Sequence, residues 1–561
     1  QAQTPSTWVF STACLALVAF IPHQLLDTSA SAMKHTKSAV ISVLSLLLAP
    51  GSLANLPGQD NFPIVYVVHG PGGTPLARAV VGREEPCPSL EGQAGASTVS
   101  QVRGVGRDAM PYAFPVKVCE VPLPREAPAG SLALGGKRLP KITRAPTRFA
   151  FIGDTGLRVK PTNLGTCSHP GPEKLYGIRQ CEPENIVPFD ASLVKGAYQN
   201  LSDWPLKEQM DRAAEEAPDL VLHVGDYLYR QGPCAQGQGC TSINSQTDPS
   251  MPGEWGDNWH GWYSDFFEPS LTLLAAAPWI MLRGNHEKCD RGGHGFFLLL
   301  DPRPLPSKWT EAYCEDFTET YAVPFDSEQF IVMDDSFIQD LDTDHVCPAG
   351  QSEQSDALPA SRYDDRDQKL SHEGIAQQIA YFAEQFRKVE SSAKPGLTNF
   401  LASHRPLLGV ACHQGRYLTV DWTMQQALGS GTLDLISATI HGHVHWFQGL
   451  VFEKQALPVE IVVGNGGTKL DSAKMADARA VEGLRVNGVR IERAFTSGLF
   501  GFSLMSRMPD GDYSLQSLQV GNHNEKTLPS DAETLMWNTS IPAMVRRQGL
   551  RRLAGAPEIH V

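Results

Sequence analysis

Five times between residues 148 and 445, a short apolar run stops at a glycine or serine and gives way at once to polar side chains. The stops are Gly153-Asp154-Thr155-Gly156, Gly225-Asp226-Tyr227-Leu228-Tyr229, Gly284-Asn285-His286-Glu287, Ser403-His404-Arg405-Pro406 and Gly442-His443-Val444-His445. Each apolar run has the length and texture of a buried strand, and amphipathic stretches such as "LKEQMDRAAEEAPDLVLHVGDY" lie between them. Strands alternating with helices predict an α/β layered domain. In such sheets ligands sit at the carboxyl ends of the strands. A glycine there lets the chain turn sharply and lets backbone approach a ligand closely. Any one block fits an ordinary turn. Five in order bring two carboxylates, a phenol, an amide and several imidazoles to one point.

The chain has 561 residues, which is long for one core and predicts two domains with tails. Its formal net charge of −14 argues against a nucleic-acid-binding surface. From Met33, a basic stretch with Lys34 and Lys37 precedes an apolar run, Ala39 to Leu48, and a small-residue site, Ser52-Leu53-Ala54. That is the pattern of a secretory signal peptide, so residues 1–54 are expected to be an upstream segment plus signal. A membrane anchor over residues 7–26 is the competing reading, opposed by the Pro22-His23 break. Ten cysteines follow Cys14, an even count that suits disulfides in an exported chain. Pairing neighbours in chain order gives 87–119, 167–181 and 234–240 as short loops, then 289–314 and 347–412. Alternating runs such as "FPIVYVVHG" and "PVKVCEVPL" predict a small all-β domain over residues 60–145. The α/β domain is expected over 148–522, and the polar stretch 523–561 reads as a tail without structure.

The donor inventory suits two metal ions sharing one carboxylate. The five blocks resemble the calcineurin-like metallophosphoesterase superfamily, and specifically its purple acid phosphatase branch, over roughly residues 148–520. Most of that superfamily has Asp-x-His in the first block, whereas here Gly156 holds the third position. The purple acid branch instead carries Gly-Asp-x-x-Tyr in the second block, and Tyr229 stands at that offset. The resemblance implies a layered α/β/β/α sandwich. It also implies one metal held by Asp154, Tyr229 and His445, a second held by Asn285, His404 and His443, and Asp226 bridging the two. Phenolate and carboxylate suit Fe(III); imidazoles and an amide suit a divalent ion, Zn, Mn or Fe(II). His441 has no place in that pattern and reads as a packing or supporting histidine.

The implied function is hydrolysis of phosphomonoesters, with a water bridging two ions attacking phosphorus in line. A phosphodiesterase or nucleotide-directed hydrolase with the same ions is the alternative, and a metal-bearing binding module that has lost catalysis is a third. His286 is expected to face the substrate, stabilising phosphate oxygens or protonating the leaving alkoxide. Glu287 either orients His286 or is a surface carboxylate. His413 is a second candidate for a substrate-facing catalytic histidine, though its offset differs slightly from the family's and Cys412 precedes it. Asp257, His260 and His294 read as surface or packing residues. The expected partner is a small phosphorylated substrate, with no stable membrane partner.

Overall fold

Strand Arg148–Ile152 shows the logic of the architecture: Phe149 and Phe151 enter one buried cluster, while Ala150 and Ile152 enter another on the opposite face. Side chains alternate across a strand, so a strand covered on both faces is apolar throughout. The computed structural model describes residues 58–92, 97–105, 114–160, 197–230, 256–289, 291–305, 314–338, 372–413, 416–471, 478–520 and 535–541. All of these belong to one of the chain's two compact units, Pro57–Val561.

Arg148–Ile152, Leu220–His223 and Trp279–Met281 run parallel, with Val221 opposite both Ala150 and Trp279. They lie in the middle of a ten-stranded sheet. A second sheet of eight strands contains a parallel run of Glu328–Val332, Thr398–Ala402, Ile436–His441 and Val459–Val463. Phe149, Phe151 and Leu222 of the first sheet share a cluster with Phe330, Phe400 and Ile440 of the second, so the sheets pack face to face. Helices Leu206–Glu215 and Glu268–Ala276 cover the outer face of the first sheet. In the former, Leu206, Met210 and Ala213 are buried at the spacing of one helical face. Helix His372–Ser392 covers the second sheet through Phe382, Phe386 and Val389. The result is the layered α/β/β/α architecture that the sequence implied.

Among the described residues of 60–145 the elements are strands apart from short 3-10 turns, and the longer strands extend the ten-stranded sheet. Ile64–His69 pairs parallel with Trp279–Met281, followed outward by Pro75–Gly82, Val116–Pro122 and Gln101–Val105. Ser89–Gly92, Ser97–Val99, Leu132–Leu134 and Lys137–Arg138 form a separate four-stranded sheet. Buried Arg78 and partly buried Arg103 donate to the carbonyls of Leu299, Phe297 and Asp301, tying this segment to the helical turn after the third block. At the other edge Leu535–Ile541, within the polar stretch read as a tail, pairs with Tyr513–Gln519, and Ile541 is buried between the sheets. Cys87–Cys119 and Cys289–Cys314 are disulfides, and Cys412 is disulfide-bonded as well. The expected 167–181 and 234–240 pairs and the signal segment lie outside the described residues. No helix among the described residues is long and apolar enough to cross a membrane.

One buried carboxyl between the sheets gives the fold a pH dependence of its own. Glu328 accepts a hydrogen bond from the Tyr513 hydroxyl at 2.8 Å, and its other oxygen has no hydrogen-bond partner among the described residues. Burial pushes its pKa up from 4.5 to about 7. Across that interval the folded chain holds a proton that the unfolded chain releases. The stabilisation is therefore complete below pH 4.5 and is lost as pH rises through 7. Glu328→Gln is expected to raise stability by roughly 2–3 kcal/mol at pH 8 and to change it little at pH 4, read by denaturant unfolding.

Candidate metal centre

Asp154, Asp226 and His443 all have left-handed backbone, with φ of 57°, 61° and 72°. Non-glycine residues rarely adopt this conformation, and it concentrates at functional sites. Each lies just past the carboxyl end of a parallel strand, so the reversed backbone returns its side chain over the strand ends. The glycine before Asn285 is required by the same crowding: a Cβ on Gly284 would come within 2.2 Å of Asp226 Oδ1. Position 156 is closed for a similar reason, since a Cβ there would stand 2.5 Å from the Tyr227 carbonyl oxygen. No ligand side chain fits at that position on this backbone.

The seven expected metal ligands form one connected cluster. Tyr229 Oη lies 3.0 Å from Asp154 Oδ1, 2.7 Å from Asp226 Oδ2 and 2.8 Å from His445 Nε2. His404 Nε2 is 3.3 Å from Asp226 Oδ2 and 2.9 Å from Asn285 Oδ1, which is also 2.9 Å from His443 Nδ1. Asp226 thus stands between a group containing Asp154, Tyr229 and His445 and a group containing Asn285, His404 and His443. His286 donates its backbone N–H to Asp226 Oδ1 at 2.8 Å, and its ring lies 3.8 Å from the Tyr229 ring. His413 pairs with Arg416 on a short hairpin, and its side chain lies outside the described residues.

His441, His443 and His445 stand at alternate positions but do not share one strand face. The strand ends at His441, and the reversed backbone at His443 breaks the alternation. His441 is buried behind the cluster, its Nδ1 3.1 Å from Ser403 Oγ and its Nε2 3.5 Å from Glu460. Asp257 is a packing residue: it accepts from the Trp262 indole and from the backbone N–H groups of His294 and Gly295. Glu287 is not on the surface. It is fully buried and accepts four backbone N–H groups, from Asp226, Tyr227, Leu228 and Gly284. Burial first, then the Asp226 charge, raises its pKa to about 7.

Other carboxylates, Asp335 and Asp265 buried and Asp471 partly exposed, hold the loops of the cluster in the same way. Asp335 accepts the backbone N–H groups of His404 and Arg405 at 3.0 and 2.9 Å, and Asp265 accepts those of Tyr229 and Arg230 at 2.8 and 3.0 Å. Asp471 accepts the N–H of His445 at 3.1 Å and lies 3.4 Å from its Nδ1. Nothing in the sequence around Asp265, Asp335 or Asp471 marks them out. A carboxylate that takes backbone N–H groups has no spacing signature.

The electrostatics of the cluster fit cations. Burial, then the Asp154 and Asp226 carboxylates, push the Tyr229 phenol well above its ordinary pKa. Burial opposes a charge on His404, yet the nearby Asp226 and Asp154 carboxylates hold its imidazole up to about 10. Without a metal, the charge that balances the carboxylates is a proton. The Asn285 amide lies 2.9 Å from both His404 Nε2 and His443 Nδ1, so one amide and two imidazoles converge on a single point. Asp154, Asp226 and His445 bring donor atoms within 4.8 Å of one another, and all three are buried. Phenol, carboxylate, imidazole and amide are all competent ligands.

Carboxylates, a phenol and imidazoles gathered at the strand ends of a two-sheet sandwich define a metallophosphoesterase class of fold and site. The chain belongs to the calcineurin-like phosphoesterase family, whose model matches residues 147–447. No curated protein matches it. Among solved structures it is similar to purple acid phosphatase PPD1 from yellow lupin (Lupinus luteus) seeds, at 13% identity and a TM-score of 0.49 over 86% of this chain and 75% of that one. It is also similar to PhoD, at 12% identity and a TM-score of 0.47 over 88% of this chain and 94% of that one. A dimetal phosphatase from Danio rerio matches at 12% identity and a TM-score of 0.29, over 71% of this chain and 100% of that one.

Proposed function

We propose that the protein is an exported phosphomonoesterase of the purple acid type. In this reading Asp154, Tyr229 and His445 hold Fe(III), Asn285, His404 and His443 hold a divalent ion, and Asp226 bridges. The observation that carries it is the contact of one phenol oxygen with Asp154, Asp226 and His445, all within 3.0 Å. When bound, two such ions supply Lewis acidity and an activated water for in-line displacement at phosphorus.

The chain's own groups do the rest. His286 is held by its backbone on Asp226 and by Nδ1 on the Leu228 carbonyl at 3.1 Å. Any proton it exchanges with a leaving oxygen therefore passes through Nε2. Three guanidiniums surround the cluster: Arg158 Nη1 is 3.1 Å from His445 Nδ1, Arg405 Nη1 is 3.3 Å from His443 Nε2, and Arg291 donates to the Asn285 carbonyl at 3.3 Å. Positive charge on both sides of the centre favours a doubly charged monoester over a singly charged diester. The disulfides are compatible with export.

His286→Ala is expected to lower kcat on p-nitrophenyl phosphate by about 10²–10⁴-fold while both metals stay bound. The wild-type protein should turn over that monoester faster than bis-(p-nitrophenyl) phosphate. Preference for the diester would transfer the assignment to a phosphodiesterase. A metal-loaded protein inert to both would support the non-catalytic reading.

A further inference from the structure

We propose that Glu287 is the positioning residue that sets the bridging carboxylate, and that it aligns the second and third blocks with each other. This rests on the reading in which Asp226 joins two ions. Glu287 Oε2 accepts the N–H of Asp226 at 2.9 Å and that of Gly284 at 3.0 Å; Oε1 accepts those of Tyr227 at 2.8 Å and Leu228 at 3.2 Å. Successive N–H groups around a left-handed residue form a concave nest for an anion. Here the nest opens at Asp226, whose φ is 61°, and the chain fills it with its own carboxylate. The bracing is reciprocal, because Asp226 Oδ1 accepts the N–H of His286, the residue before Glu287. Arg283 Nε holds the Glu287 carbonyl at 2.8 Å, which fixes the far end of the same turn. Two carboxylates thus lock two loops crosswise. Asp226 on one loop and Asn285 on the other are placed together by a residue whose own oxygens are occupied by backbone donors.

The test compares Glu287→Gln and Glu287→Asp with the wild type. Glutamine keeps the shape but turns an NH₂ group toward N–H donors; aspartate keeps the charge on a shorter arm. In metal-free protein, the amides of residues 226, 227, 228 and 284 are expected to exchange hydrogen at least about tenfold faster in Glu287→Gln. Those of strands Leu220–His223 and Trp279–Met281 should stay at wild-type rates, which a general loss of stability would not leave unchanged. Calorimetry with Mn²⁺ should show about 10–100-fold weaker binding of both ions, partly restored in Glu287→Asp. If glutamine prevents folding, the aspartate variant alone decides, through the same four amides. Wild-type exchange at those amides with wild-type Mn²⁺ affinity would overturn the inference. A wild-type protein that binds fewer than two Mn²⁺ would instead overturn the two-ion reading.

Discussion

Asp226→Ala is expected to abolish phosphatase activity, by on the order of 10⁴-fold or more, and to release both metals. Asp226 carries one oxygen that contacts both halves of the cluster: Oδ2 lies 2.7 Å from Tyr229 and 3.3 Å from His404, while Oδ1 anchors the His286 backbone. Burial alone would keep this carboxyl protonated, but the facing His404 and His286 imidazoles hold its pKa well below the ordinary carboxyl range. Alanine removes that anion and leaves His404 with a weaker claim to its proton. Asp226→Asn keeps the volume and discards the charge, so it separates packing from electrostatics. Activity assays with metal analysis on both variants check the outcome. Full retention of two metals in Asp226→Ala would contradict the bridging role.

Tyr229→Phe is expected to have the next largest effect, removing one oxygen and almost nothing else. The ring remains against His286, so folding should be close to wild type. The oxygen's contacts with Asp154, Asp226 and His445 are lost. The expected result is loss of the ion assigned to Asp154 and His445, with a fall in kcat of about 10²-fold or more. With Fe(III) bound, the wild-type protein should carry a phenolate-to-iron charge-transfer colour that the variant lacks. An absorption spectrum decides this. A colourless wild type that is fully active with divalent ions alone would overturn the iron assignment and leave the phosphoesterase reading in place.

The residues of the cluster were legible because each block follows an apolar run directly, and strand ends are where parallel sheets collect their polar groups. The exchange of a first-block histidine for Gly156 with a second-block Tyr229 was legible too, since both changes are local in sequence. What holds those ligands was not. Glu287, Asp335 and Asp471 act by accepting backbone N–H groups from loops far away in the chain, and this leaves no local pattern. The strands of residues 60–145 read correctly as β, but their place in the first sheet depends on Ile64–His69 pairing with the distant Trp279–Met281. His441, read as a packing or supporting histidine, is the last residue of its strand and lies buried against Ser403 and Glu460.

Whether these loops close around a pair of cations is decided by counting metal atoms per chain. Elemental analysis of the purified, dialysed protein should return two equivalents that fall together with activity when a chelator is added. One equivalent or none in a preparation that still hydrolyses p-nitrophenyl phosphate at full rate would contradict the two-ion reading.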